Sequence, residues 1–125
     1  MEYADIEYSK KLAHLFPDAE WWWTKFPKTY SPSIEEVTEW DWDIRNNIFG
    51  AEQIPAITIQ MALNVLPLRV VHNKANWYLE IHRWDNNTYS TNYSLNIPVG
   101  TDKHLPNALC KMILYLIDEG HIKGE

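Results

Sequence analysis

Two alternating runs flank Asp85-Asn86-Asn87, and they constrain this chain more than any other feature. Trp77, Leu79, Ile81 and Arg83 share one side of the first run. Tyr89, Thr91, Tyr93, Leu95 and Ile97 share one side of the second, with Ser90, Asn92, Ser94 and Asn96 opposite. A strand alternates its side chains, so a one-residue slip moves every apolar group to the other face. A two-residue loop at Asn86–Asn87 sets Ile81 against Asn92 and Leu79 against Ser94, which puts apolar beside polar. A three-residue loop at Asp85–Asn87 pairs Ile81 with Thr91, Leu79 with Tyr93 and Trp77 with Leu95. The pattern therefore predicts the longer loop, with Asn87 left-handed. The opposite face carries Tyr78, Glu80, His82 and Trp84 and is expected to be wet.

Around this hairpin, residues 68–72, 77–84 and 88–97 read as an antiparallel meander. Leu105, Leu109, Met112, Ile113 and Leu116 form a helical stripe that begins with Pro106 in the first turn and ends at Gly120. This helix is expected on the Leu79/Tyr93 face. Residues 3–15 read as a helix through Tyr8, Leu12 and Leu15. A second short helix is capped by Thr58, lined by Ile59, Ala62, Leu63 and Leu66, and stopped by Pro67. Residues 21–26 read as a strand because aromatics suit a pleated surface. Ser33 with Glu36 is a capping-box pair, and Ile34, Val37, Trp40, Ile44 and Ile48 then fall at helical spacing, yet Trp40, Trp42 and Ile44 also alternate as a strand would. The pattern favours a helix through about Thr38 and leaves both helix and extended chain open over residues 39–46. The whole is one α+β domain over residues 1–125: an antiparallel sheet with helices packed on one face.

Charge narrows the functions. Residues 1–60 hold eleven acids and five bases, residues 61–125 six of each, and the net charge is −6. An acidic half argues against a phosphate-backbone partner and favours a basic protein. Met1 to Lys11 has no basic region followed by an apolar run, and no stretch is long and apolar enough for a membrane span. The expected setting is the cytoplasm, without membrane contact.

Ile54-Pro55-Ala56-Ile57-Thr58, the short helix ending at Leu66-Pro67, the aromatic hairpin and the terminal helix Ala108-Leu109-Cys110-Lys111-Met112-Ile113-Leu114-Tyr115-Leu116-Ile117 together resemble a loose group of small uncharacterised phage and prophage proteins. The resemblance spans roughly residues 54–120. It implies an accessory protein of a mobile element, many of which work by binding, and assigns no role to any residue.

Among chemical candidates, Asp41-Trp42-Asp43 resembles a metal-holding Asp-x-Asp, but five acids, Glu35, Glu36, Glu39, Asp41 and Asp43, follow one another here without an intervening base. The histidines His14, His72, His82, His104 and His121 lack ligand spacing, so no metal or cofactor is expected. The lone cysteine, Cys110, sits on the apolar terminal helix and reads as a buried thiol rather than a nucleophile. The leading expectation is a non-catalytic interaction protein. Its binding residues are Glu35, Glu36, Glu39, Asp41 and Asp43 with Trp40 and Trp42 as anchors, and Trp21, Trp22 and Trp23 as a possible stacking platform beside Lys25 or Tyr30. The alternatives are a tryptophan-based module for carbohydrate or single-stranded nucleic acid, also using Trp77 and Trp84, and a small enzyme using Asp41, Asp43 and His82. A homo-oligomer built on the surplus aromatics is compatible with the same composition.

Overall fold

A computed structural model of the chain describes residues 2–28, 33, 39–93 and 100–122. The fold is α+β, with two antiparallel sheets and three α-helices among the described residues. Helix α1 covers Ile6–Leu12 and tightens into a 3-10 turn at Ala13–Leu15. Strands β1 (Trp22–Pro27), β2 (Trp40–Arg45) and β3 (Gln53–Pro55) precede helix α2 (Ile59–Val65). Strands β4 (Arg69–His72), β5 (Ala75–Arg83), β6 (Tyr89–Tyr93) and β7 (Gly100–Asp102) follow, then helix α3 (Leu105–Asp118).

The second sheet is the meander that the alternation predicts, in the order β4-β5-β6-β7. Leu79 pairs with Tyr93 and Ile81 with Thr91, the register required to keep apolar groups together. The expected partner of Trp77, Leu95, lies outside the described residues, as do Ser94, Asn96 and Ile97. Trp84 N–H donates to the Thr88 carbonyl at 2.8 Å across the three-residue loop, and Asn87 takes φ 61°. The β4–β5 turn places Asn73 and Lys74 at φ 52° and 66°, the left-handed pair of a type I′ hairpin.

Helix α3 organises the core. Leu109, Cys110, Met112, Ile113 and Leu116 are at most 1% exposed, which makes its stripe the centre of a cluster with Leu12, Phe16, Ile57, Ala62, Leu66 and Tyr93. At about 1.5–3 kcal/mol per fully buried large apolar side chain, this one face supplies on the order of 10 kcal/mol before entropy is counted. It lies on the Thr91/Tyr93 side of the meander, where Thr91 Oγ1 donates to the Ala108 carbonyl at 3.1 Å. Strand β7 comes close enough there that a Cβ on Gly100 would stand 2.2 Å from the Ala108 oxygen. Thr58 caps α2 by accepting from Met61 N–H at 3.1 Å. The N-terminal segment is pinned by Ala4 N–H to the Ile57 carbonyl (2.9 Å) and Asp5 N–H to Asn107 Oδ1 (2.7 Å).

Two features depart from the sequence reading. The Trp-rich strand belongs to a separate three-stranded sheet, order β2-β1-β3, rather than to the meander. The meander's polar face is wet along β5 and covered along β6: Tyr78 and Trp84 are half exposed and Glu80 and His82 a third exposed, but Ser90 and Asn92 are 2% and 3% exposed. There Trp84 Nε1 donates to Ser90 Oγ at 2.8 Å.

Candidate interaction surface on the three-stranded sheet

Alternation along β1 and β2 sorts the expected site residues onto two sides. Trp23 faces Ile44, Lys25 faces Trp42, and Pro27 faces Trp40 on one side; Trp22 faces Arg45, Thr24 faces Asp43, and Phe26 faces Asp41 on the other. The tryptophans Trp40 and Trp42 and the carboxylates of Asp41 and Asp43 therefore point in opposite directions and form no common patch.

The tryptophan side is covered by the protein's own groups. Lys25 Nζ lies 4.9 Å from the Trp40 ring centroid, and Lys10 Nζ, from α1, lies 5.4 Å from that of Trp42. Trp23 Nε1 donates to the Ala4 carbonyl at 3.3 Å. Lys25 also pairs with Glu52 at 3.2 Å. These cation–π contacts occupy the ring faces a partner would need.

The carboxylate side is more open. Among the described residues strand β2 lies at the edge of its sheet, so alternate backbone N–H groups have no strand partner there. Asp41 Oδ1 accepts from Trp42 N–H at 2.9 Å and Asp43 Oδ1 from Ile44 N–H at 2.8 Å. Each aspartate thus occupies an edge donor of the residue after it. The Ile44 N–H and then the bound Arg45 guanidinium hold the Asp43 carboxyl below its usual range. Arg45 also lies over the Phe26 ring, 5.4 Å from its centroid. Glu39 is exposed at the start of this region, and its carbonyl accepts Lys28 N–H. Glu35 and Glu36, with Ile34, Val37 and the expected 33–38 helix, lie outside the described residues.

A residue that the sequence reading passed over dominates this side. The chain from Arg45 to Gln53 must cross β1, because β2 and β3 flank it. Gln53 braces the crossing over Thr24. Its Nε2 donates to Thr24 Oγ1 and to the Asn46 carbonyl, both at 2.8 Å, and its Oε1 accepts from Ile48 N–H at 2.9 Å. Thr24 is buried beneath. At the tip, Ala51 N–H closes a turn onto the Ile48 carbonyl at 3.2 Å, with Gly50 at φ 82°, where a glycine avoids strain. Phe49 occupies the turn's other central position and is fully exposed, with Ile48 beside it 46% exposed. The legible signal was Ile48-Phe49-Gly50, an apolar pair and glycine inside an otherwise polar loop.

The remaining expected residues are scattered. Trp21 is half-buried in the wall of a groove near α2. Trp22 is half-buried with its Nε1 enclosed and unbonded. Tyr30, the proposed neighbour of the triplet, lies outside the described residues. His82 sits on the meander, on a different sheet from Asp41 and Asp43, with its Nε2 3.8 Å from Glu80 Oε2 and its ring 5.8 Å from that of Trp84. Among the described residues Glu80 Oε2, His82 Nε2 and Asn92 Oδ1 are all enclosed without a hydrogen bond. Trp77 is half-buried on the helix-facing side. Cys110 is buried, and desolvation pushes its thiol up to about 12. Among the described residues no group of three or more His, Cys, Asp or Glu side chains could hold a metal ion, and no helix is long and apolar enough to cross a membrane. Compared with protein-family models, curated proteins and solved structures, the chain matches none.

Proposed function

We propose that this protein acts by binding another protein, using Phe49 as an anchor inserted into an apolar socket with basic groups at its rim. The observation behind this reading is the full exposure of Phe49 on a turn held by three Gln53 hydrogen bonds. A large apolar ring in water has no stabilising role in the free protein, and interface energy concentrates in such rings when they are held ready to insert. Asp41 and Asp43 project from the same side of the sheet, and the first sixty residues are strongly acidic, which favours a basic rim. Because the two aspartates occupy edge N–H groups of β2, the partner docks through side chains rather than by adding a strand. The resemblance to small phage and prophage proteins points the same way.

The test compares tagged wild type with Phe49→Asp and with Glu39→Lys/Asp41→Lys in nuclease-treated lysate, alongside circular dichroism of each variant. A partner retained by wild type and lost from folded Phe49→Asp supports the reading, with slower association in the charge variant. Full retention by Phe49→Asp removes it.

A further inference from the structure

The structure assigns a second site, independent of the Phe49 surface: a groove that takes an organic ammonium ion, with an apolar body of about six to ten carbons. A groove of about 690 Å³ opens between the turn following α1 and helix α2. That volume is of the size that encloses a drug-sized molecule. Its walls include Leu15, Phe16, Trp21, Ile59, Met61 and Val65. Of these, Phe16 is firmly buried and so fixes the floor, while the others are half-buried and leave apolar surface facing the opening.

The rim selects the charge. Glu2, Asp18 and Glu20 line the groove, and among the described residues no lysine, arginine or histidine does. Glu2 is engaged by His104 Nδ1 at 3.2 Å, whereas Asp18 and Glu20 make no ion pair among the described residues. Two uncompensated carboxylates beside an aromatic wall repel an anion and offer a neutral molecule only hydrogen bonds, as do Thr58, Gln60 and Asn64 in the same lining. A cation gains both carboxylate attraction and the face of an indole or phenyl ring. Glu20 and Trp21 are adjacent in sequence, so one turn of chain supplies both. The bulky, weakly hydrated head of a tertiary or quaternary ammonium suits this better than a primary amine, which loses more hydration on entry. The occupant is therefore a small cationic amphiphile.

The probe is octyltrimethylammonium chloride below its micelle concentration, titrated into the full chain by calorimetry and by amide and indole NMR, with octanoate and octanol as controls. The expected Kd is about 0.1–1 mM from ligand-size limits. It should be about tenfold tighter than for either control, a gap worth roughly 1.4 kcal/mol, and the gap should narrow in 0.5 M salt through screening. The Trp21 indole resonance, assigned through Trp21→Phe, should shift with those of Ile59, Met61 and Val65. Asp18→Asn/Glu20→Gln, both exposed positions that leave folding intact, should lower the ammonium affinity to that of octanol without changing octanol. Equal affinity for octanoate and octyltrimethylammonium overturns the assignment, as does unsaturable binding or a shift pattern away from the groove. A basic amphipathic peptide that occupies the groove and excludes the ammonium ion would reassign it to a peptide and also overturn the proposal.

Discussion

Adding one methyl group to Gly100 probes how α3 seats on the meander. Its Cβ would stand 2.2 Å from both the Ala108 carbonyl oxygen and Thr91 Oγ1, neither of them the far end of a flexible chain. Relief needs more than 1 Å of separation, by general contact distances, and the obstacle is a helix backbone on one side and a buried threonine on the other. Overpacking of this kind costs about 1–3 kcal/mol. The Thr91 hydroxyl also donates to the Ala108 and Gly100 carbonyls, at 3.1 and 3.4 Å, and a shift that breaks this bonding costs about 1 kcal/mol more. Gly100→Ala should therefore lose roughly 2–4 kcal/mol, a large share of the 5–15 kcal/mol typical of a domain. With a urea m-value of about 1–3 kcal/mol/M, the midpoint should fall by about 1–2 M, followed by circular dichroism. In a Thr91→Ala background the penalty should shrink, because one of the two obstacles is gone. A Gly100→Ala midpoint unchanged within error would refute the close-approach argument.

Three further outcomes follow from the same coordinates. Asp41→Ala/Asp43→Ala frees edge N–H groups on β2 and should raise concentration-dependent self-association in analytical ultracentrifugation; a strictly monomeric double variant that matches wild type counts against the capping role. Ser9 is buried with its hydroxyl unbonded among the described residues, so Ser9→Ala should be neutral or stabilise by up to about 1 kcal/mol in urea unfolding, and a loss of stability contradicts the assignment. Burial pushes Tyr93 and Cys110 up to about 12 from their ordinary 10.0 and 9.0, so the unfolded chain releases these protons first. Stability is full below pH 9 and is lost by several kcal/mol as pH rises toward 12; Cys110→Ala should delay the onset to about pH 10, and an identical onset sinks the thiol's share.

How much of this was legible depends on how local the signal is. The hairpin register followed from alternation alone, since only one pairing of Leu79 and Ile81 keeps apolar groups off Asn92. The α3 stripe and the Thr58 cap are short-range patterns, and both stand. Over residues 39–46 the sequence left helix and strand both open, because Trp40 and Ile44 fit either period, and the structure makes Trp40–Arg45 strand β2; residues 34–38 lie outside the described residues. Which sheet each strand joins was not legible, because the partner of β1 is chosen by a crossing loop rather than by its neighbours. For the same reason the acidic–aromatic patch divided: alternation alone sets Trp40 and Trp42 opposite Asp41 and Asp43, but covering the tryptophan side takes Lys10, which comes from α1, far from Trp42 in the sequence. Phe49 went unmarked because exposure belongs to the folded surface and leaves no periodic trace.

The order β2-β1-β3 also has a consequence for synthesis on the ribosome. The central strand is the first of the three to emerge, and both flanking strands come later, the last at Gln53–Pro55. For the time taken to add roughly thirty residues, a few seconds at 5–20 residues per second, Trp22 to Phe26 waits with both edges open and its aromatic side chains bare. The segment is rich in strand-forming aromatics and holds a single charge, at Lys25. Trp22 to Phe26 are therefore open to edge pairing with other chains until β2 and β3 have followed them.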